Sequence, residues 1–196
     1  MSQLGAALLL AVALAGPAAA ADGSGHGFPE RHSQEVVPRY LLVDPNGRSV
    51  TSEDFRGTFQ LIAFGYTYCP DVCPTTLVEM AAILQHLGSR AARIQPIFIT
   101  VDPERDTGPV LRTYTEFFHP RILGLTGPPA LVRRAADNFN VRYAKVRTPD
   151  DPPERYAIDH SAGMYLLGPD GEFLKKFAYA TTPEAIAAQI GSLLER

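Results

Sequence analysis

Cys69 and Cys73 stand in the stretch Gly65-Tyr66-Thr67-Tyr68-Cys69-Pro70-Asp71-Val72-Cys73-Pro74, where an apolar run ends and a helical pattern begins. The run before it, Phe59-Gln60-Leu61-Ile62-Ala63-Phe64, is short, aromatic-rich and bounded by Gly57 and Gly65. That is the pattern of a buried strand. After it, Leu77, Met80, Ala81 and Leu84 recur at spacings of three and four, the apolar stripe of an amphipathic helix. The thiols therefore belong to a loop between a rigid strand and a helix, a place where chemistry is commonly put.

The prolines limit what that loop can be. Pro70 and Pro74 bias Cys69 and Cys73 away from helical dihedrals, so the pair is expected in a loop and not on one unbroken helix. Pro74 lacks an N–H and suits the first turn of the helix that follows. The unpaired N–H groups and dipole of that helix end stabilise a nearby thiolate, so Cys73 is expected to be the more acidic thiol. A structural disulfide closing a small loop is the alternative, and an oxidising compartment would permit it.

The N-terminus indicates such a compartment. Residues 1–21 carry no charged side chain, and Leu8-Leu9-Leu10-Ala11-Val12-Ala13-Leu14 is an apolar centre followed by Gly16, Pro17 and an alanine run. This reads as a secretory signal with an Ala-x-Ala cleavage site before Ala21 or Asp22. It departs from the usual pattern in having no Lys or Arg before the apolar centre, which leaves an uncleaved anchor as the alternative. Pro17 and the small residues favour cleavage, because they interrupt a span that at about 18 residues falls short of the ~20 a bilayer core needs. Either way the domain lies outside the cytosol, in the periplasm, secreted or held at a membrane. Residues 22–38 are polar and Gly-rich, a tether in which His26 and His32 are incidental. The domain proper is 39–196, and 45% hydrophobic content over 196 residues is enough for one real core. A net charge of −3 supplies no basic field for nucleic acid.

Along that domain, Tyr40 to Val50 reads as a hairpin around an Asn46-Gly47 turn, and Ser52 to Phe55 as a single helical turn. A second buried strand spans Ile94 to Val101, ending in the charged loop Asp102 to Thr107, and a helix follows from Pro109 through Phe118. Ile122 to Leu125 is a short strand, Ala130 to Phe139 a helix, Val141 to Val146 an alternating strand and Arg147 to Arg155 a proline-rich insertion. A late hairpin joins Gly163–Leu167 to Glu172–Phe177, and a helix capped by Thr182-Pro183-Glu184 closes the chain. Strands alternating with helices, plus a late hairpin, give an α/β layered fold with helices covering a mixed sheet.

His160, in Asp159-His160-Ser161 just before the late hairpin, reaches the two sulfurs if that hairpin joins the sheet beside the central strand. A hydrogen-bonded histidine at a strand edge is the plainer reading. Three motifs together resemble the signatures of the Sco/SenC family. They are Thr67-Tyr68-Cys69-Pro70-Asp71-Val72-Cys73-Pro74-Thr75-Thr76-Leu77, Val101-Asp102-Pro103-Glu104-Arg105-Asp106-Thr107, and Asp159-His160-Ser161 with Tyr165-Leu166 and Pro169-Asp170-Gly171. The likeness runs from about Tyr40 to the C-terminus. It implies a thioredoxin-like fold, copper binding, and a part in assembling the dinuclear copper centre of cytochrome c oxidase subunit II. Other periplasmic copper carriers and thiol–disulfide proteins are further partner classes. Carried onto this chain, the resemblance makes Cys69, Cys73 and His160 the metal ligands. Members are often held to a membrane by an N-terminal helix, so a cleaved signal would be a departure.

Elementary coordination chemistry agrees with that set. Two soft thiolates and a borderline imidazole suit three-coordinate Cu(I), with Cu(II) as a second state. Structural zinc normally takes four protein ligands, and the chain has no third cysteine. The same thiols close to a disulfide when metal leaves, so metal release and redox state are coupled. Asp71 adds negative charge beside the site or simply forms a turn. Asp102 and Asp159 are each either a partner that orients His160 or, equally, a local turn former. Met164 reads as core, not as a copper thioether. Two functions follow: a copper metallochaperone, or a thiol–disulfide oxidoreductase in which Cys69 and Cys73 form the redox pair. They diverge at His160, which only the first needs. A peroxidase is disfavoured because no arginine stands in the cysteine loop.

Overall fold

A computed structural model describes residues 36–147, 152 and 155–195. The expected signal segment 1–21, all but the last three residues of the tether 22–38 and most of the insertion after Arg147 lie outside those residues.

Strand β3 (Phe59–Gly65) is buried along its whole length and forms the middle of a five-stranded sheet. On one side it pairs in parallel with β4 (Ile94–Thr100), which pairs in parallel with β5 (Leu123–Leu125). On the other it pairs antiparallel with β8 (Met164–Leu167), and β9 (Phe173–Phe177) completes the late hairpin at the edge. The sheet order β5-β4-β3-β8-β9 is thus mixed as expected, and the late hairpin joins beside the central strand, which meets the condition set for His160 to reach the sulfurs. Strands buried on both faces cannot alternate polar and apolar residues, which is why β3 and β4 read as near-continuous apolar runs.

The crossovers are helical. Helix α1 (Val72–Leu87) links β3 to β4 and packs along the C-terminal helix α4 (Pro183–Leu194), while α2 (Gly108–Phe118) links β4 to β5. The α4 N-cap is the expected one, with the Thr182 hydroxyl accepting from the Ala185 N–H at 3.3 Å. The N-terminal hairpin of β1 (Leu41–Val43) and β2 (Ser49–Thr51) turns at Asn46-Gly47, where the Asp44 carboxylate accepts from the Asn46 and Arg48 N–H groups. Helix α3 (Pro129–Asn138) lies against β1, and the ring of Phe139 just beyond it sits 5.4 Å from Phe64 and 5.3 Å from Tyr165. These three rings anchor the core beside β3. Burying each of the two phenylalanine rings is worth about 1.5–3 kcal/mol.

Two features differ from the sequence reading. Helix α1 begins at Val72, so Cys73 is its second residue and only Cys69 lies in the loop. Pro74 explains why this is tolerated. The first-turn N–H groups have no partner within a helix, so a missing donor there costs nothing, and the bias on the preceding residue is a preference that packing overrides. The second difference is a separate two-stranded ribbon, β6 (Tyr143–Val146) with β7 (Ala157–His160), in the register Tyr143↔His160. Strand β7 has one buried residue, Ile158, in four, too short an alternation to read as a strand from sequence. Gly163 then turns the chain into β8 with φ at +112°, and a Cβ there would lie 2.5 Å from the Phe177 carbonyl oxygen. Only glycine permits so abrupt a return from His160 to the sheet.

Candidate metal centre

The sulfur of Cys73 is built into the end of β3. Its Sγ accepts a 3.5 Å contact from the Tyr66 N–H, and it occupies the place a side chain on Gly65 would take, since a Cβ there would stand 2.6 Å from that sulfur. The Phe98 ring closes the same space at 2.8 Å from that point. Cys73 is consequently buried, while Cys69 is half-exposed on the loop. The two thiols are free, and the Cys69 Sγ accepts from the Cys73 N–H at 3.4 Å. The open N–H of the helix end therefore points at Cys69.

His160 arrives from the ribbon. Its Nε2 stands 3.4 Å from the Cys73 Sγ and its Nδ1 3.1 Å from the Ser161 carbonyl oxygen. A carbonyl only accepts, so Nδ1 carries the proton and Nε2 turns its lone pair toward the sulfur. The ring meets Tyr66 edge-on at 5.9 Å, and the Tyr66 hydroxyl accepts from the Ile158 N–H at 3.2 Å, tying β7 to the end of β3. One donor atom from each of Cys69, Cys73 and His160 lies within 4.8 Å of the other two. No other His, Cys, Asp or Glu among the described residues joins that group.

Burial works against the acidity expected of Cys73. Loss of solvent pushes the Cys73 thiol well above its ordinary value, and the nearby Cys69 adds to the rise against the opposing Tyr66 N–H. The reasoning that favoured Cys73 fails because the helix end directs its N–H to Cys69 and encloses Cys73. Iodoacetamide should therefore alkylate the Cys73→Ala variant, which keeps Cys69, at least about tenfold faster at neutral pH than the Cys69→Ala variant, each unit of pKa being worth a factor of ten in thiolate. Equal rates, or the opposite order, would refute the burial argument.

None of the three carboxylates hydrogen-bonds to the imidazole, whose two nitrogens face the Cys73 sulfur and the Ser161 carbonyl. Asp71 occupies the N-cap position of α1, exposed and with no side-chain bond to the helix; its carbonyl accepts from the Thr75 hydroxyl at 3.0 Å. Asp159 is exposed on β7. Asp102 is buried, but its carboxylate accepts from the Tyr156 hydroxyl at 2.8 Å and pairs with Arg105, so the role of orienting His160 falls to the Ser161 carbonyl. Met164 is buried in β8 opposite Ala63, in the core as expected.

Asp106, given no role in the sequence reading, is the carboxylate that shapes the loop. Fully buried, it accepts from the Thr67 N–H at 3.0 Å, the Thr67 hydroxyl at 2.5 Å and the Thr100 hydroxyl at 2.6 Å. It thereby ties the start of the cysteine loop to the end of β4. The signal was available: an acid after a buried strand, with a threonine on each of two neighbouring strand ends.

Comparison with known proteins places this geometry. The SCO1/SenC family profile matches residues 29–195. A SCO2-like protein of Rickettsia felis is 42% identical over 147 residues, 75% of this chain and 71% of that protein. The crystal structure of Arabidopsis thaliana ScoI with copper bound superposes with a TM-score of 0.75 at 31% identity, covering 82% of this chain and 99% of that one. Bradyrhizobium japonicum ScoI with copper bound gives 0.73 at 40% identity, covering 81% and 99%. The mixed sheet flanked by helices is the thioredoxin-like fold of these proteins. By sequence over most of its length and by fold, the chain belongs to the SCO1/SenC family.

Proposed function

We propose that this protein is a copper metallochaperone that holds one Cu(I) on Cys69, Cys73 and His160 and passes it on during assembly of the dinuclear copper centre of cytochrome c oxidase subunit II. The observation that carries the reading is the convergence of two sulfurs and one ring nitrogen within 4.8 Å. Metal bonds of about 2.3 Å to sulfur and about 2.0 Å to imidazole hold such donors roughly 4 Å apart, so less than ~1 Å of closure makes the set a ligand cage. Soft donors in a three-point set suit Cu(I). The half-exposed Cys69 is the ligand an incoming partner thiol reaches first, while the buried Cys73 holds the ion until exchange is complete. The apolar segment 1–21 is the basis for placing the domain outside the cytosol. In this reading residues 1–21 act as a signal or anchor and residues 22–38 as a tether to the domain at 39–196.

A second reading rests on the contrast between the thiols. A half-exposed Cys69 at a helix end with a buried Cys73 behind it is the layout of an attacking and a resolving cysteine. Cys69 thiolate would attack a partner disulfide and expel one partner thiolate. Cys73 would then close the Cys69–Cys73 disulfide and release the other, moving two electrons to the partner. Anaerobic titration of the reduced chain with Cu(I) against a chromogenic chelator tests the first reading. One ion per chain is expected, and no retention against the chelator would leave only the second.

A further inference from the structure

The loop Asp102 to Thr107 is the one motif whose chemistry the metal site does not absorb, and within it Arg105 reaches both the loop that carries Cys69 and the entry to the strand that carries His160. Its guanidinium lies 3.7 Å from the ring centroid of Tyr156, 4.7 Å from that of Tyr68 and 5.9 Å from that of Tyr66. Its Nη1 donates to the Tyr156 carbonyl at 3.1 Å and its Nε to the Asp102 carboxylate. Tyr68 adjoins Cys69, Asp102 follows β4, and Tyr156 leads into β7 and His160.

The ribbon that carries His160 shares no ladder with the five-stranded sheet. Besides the Tyr66–Ile158 bond, it is tied to the body through Tyr156, whose hydroxyl reaches Asp102, through the Arg133 guanidinium of α3 at 3.6 Å from the Tyr143 ring centroid on β6, and through the exposed Lys145–Glu104 pair at 2.7 Å. Exposed ion pairs hold little. The Arg133 contact holds β6, whereas Arg105, its side chain only 19% exposed and its guanidinium over the Tyr156 ring, restrains the entry to β7, the strand that carries His160. We infer that Arg105 is a positioning residue for the metal centre, clamping the His160 ribbon against the cysteine loop so that the imidazole is held at the sulfurs.

This inference rests on the copper reading for one arm of its test and stands apart from it in the other. In the metal-free, reduced full chain, Arg105→Ala should speed hydrogen exchange at the Ile158 amide while leaving that of Ile62 in β3 unchanged. In chelator competition, Arg105→Ala should weaken Cu(I) about tenfold, the scale typical of groups that orient a ligand. The same change made in a His160→Ala background should cost nothing further. Arg105→Lys keeps the charge beside Asp102 and loses the planar stack, and serves the same comparison if the alanine variant does not fold. An equal loss in both backgrounds, or unchanged exchange at Ile158, would overturn the inference. Failure of the wild-type chain to hold Cu(I) would instead overturn the proposed function, with the exchange arm still deciding the role of Arg105.

Discussion

Cys69→Ser and Cys73→Ser each weaken Cu(I) binding by more than about 100-fold in anaerobic chelator competition, and His160→Ala by about 10–100-fold. Changes that only disturb a ligand's surroundings already cost about 10–100-fold, so removing a ligand sets that range as the floor for the sulfurs. The ranking follows from softness. Cu(I) prefers thiolate to imidazole, and an alcohol at either cysteine position offers a hard, protonated oxygen. The two serine variants should differ in one other respect. Cys69 is half-exposed, so its replacement leaves the melting temperature near wild type. Cys73 fills space against Gly65 and Phe98, so its replacement puts a smaller polar group into an apolar corner and lowers stability as well. The histidine variant also separates the two functional readings. It keeps both thiols, so exchange with a small aromatic disulfide reagent should proceed as in wild type while copper is lost. Wild-type copper affinity in all three variants would eliminate the metallochaperone.

The parts of this site that were legible in the sequence are those encoded over short spans. The apolar runs of β3 and β4 and the stripe of Leu77, Met80 and Leu84 in α1 each declare their element locally, and together they place the cysteines at one end of the sheet. The residues alone brought His160 to the sulfurs only on the condition that the late hairpin joins beside the central strand, and the family resemblance is what made it a ligand. Its contact with Cys73 depends on the β6–β7 ribbon, whose register no local pattern dictates and whose second strand is four residues long. The acidity of Cys73 was misjudged because helix-end stabilisation is visible in sequence, through Pro74, whereas enclosure by Gly65 and Phe98 is a tertiary fact. Asp102 was offered as a partner of the imidazole, or equally as a turn former, because it follows a strand expected beside the central one, at the sheet edge of the cysteines. Arg105 and Tyr156 claim its carboxylate instead. A motif thus identifies which residues matter near a site more readily than which of them touch.

Asp106→Ala should lower the melting temperature by roughly 6–12 °C, the equivalent of about 3 kcal/mol in a chain of this size. The carboxylate satisfies three donors, the Thr67 N–H and the hydroxyls of Thr67 and Thr100. A buried donor left without a partner costs about 1–3 kcal/mol, less where a hydroxyl turns elsewhere. Asp106→Asn should retain most of that stability, since an amide oxygen still accepts and the threonine hydroxyls can accept from its NH2. Burial raises the Asp106 carboxyl above its ordinary value, with the Thr100 and Thr67 hydrogen bonds opposing and the charge of Asp102 reinforcing the rise. The folded state therefore holds this proton more tightly than the unfolded chain does. The stabilisation this provides is complete below the ordinary carboxylate value of ~3.9 and is lost as pH climbs through the raised folded value. Asp54 and Glu184, held low chiefly by backbone N–H groups, titrate with the opposite sign, so the raw pH profile of wild type mixes these effects. The difference between wild type and Asp106→Asn isolates the one group, and in urea unfolding across acidic pH it should fall as pH rises. A difference that does not change with pH would mean that Asp106 titrates in the folded chain as it does in the unfolded one. The carboxylate bracing the cysteine loop would then be hydrated and not enclosed, and the anchoring of Thr67 described here would be wrong.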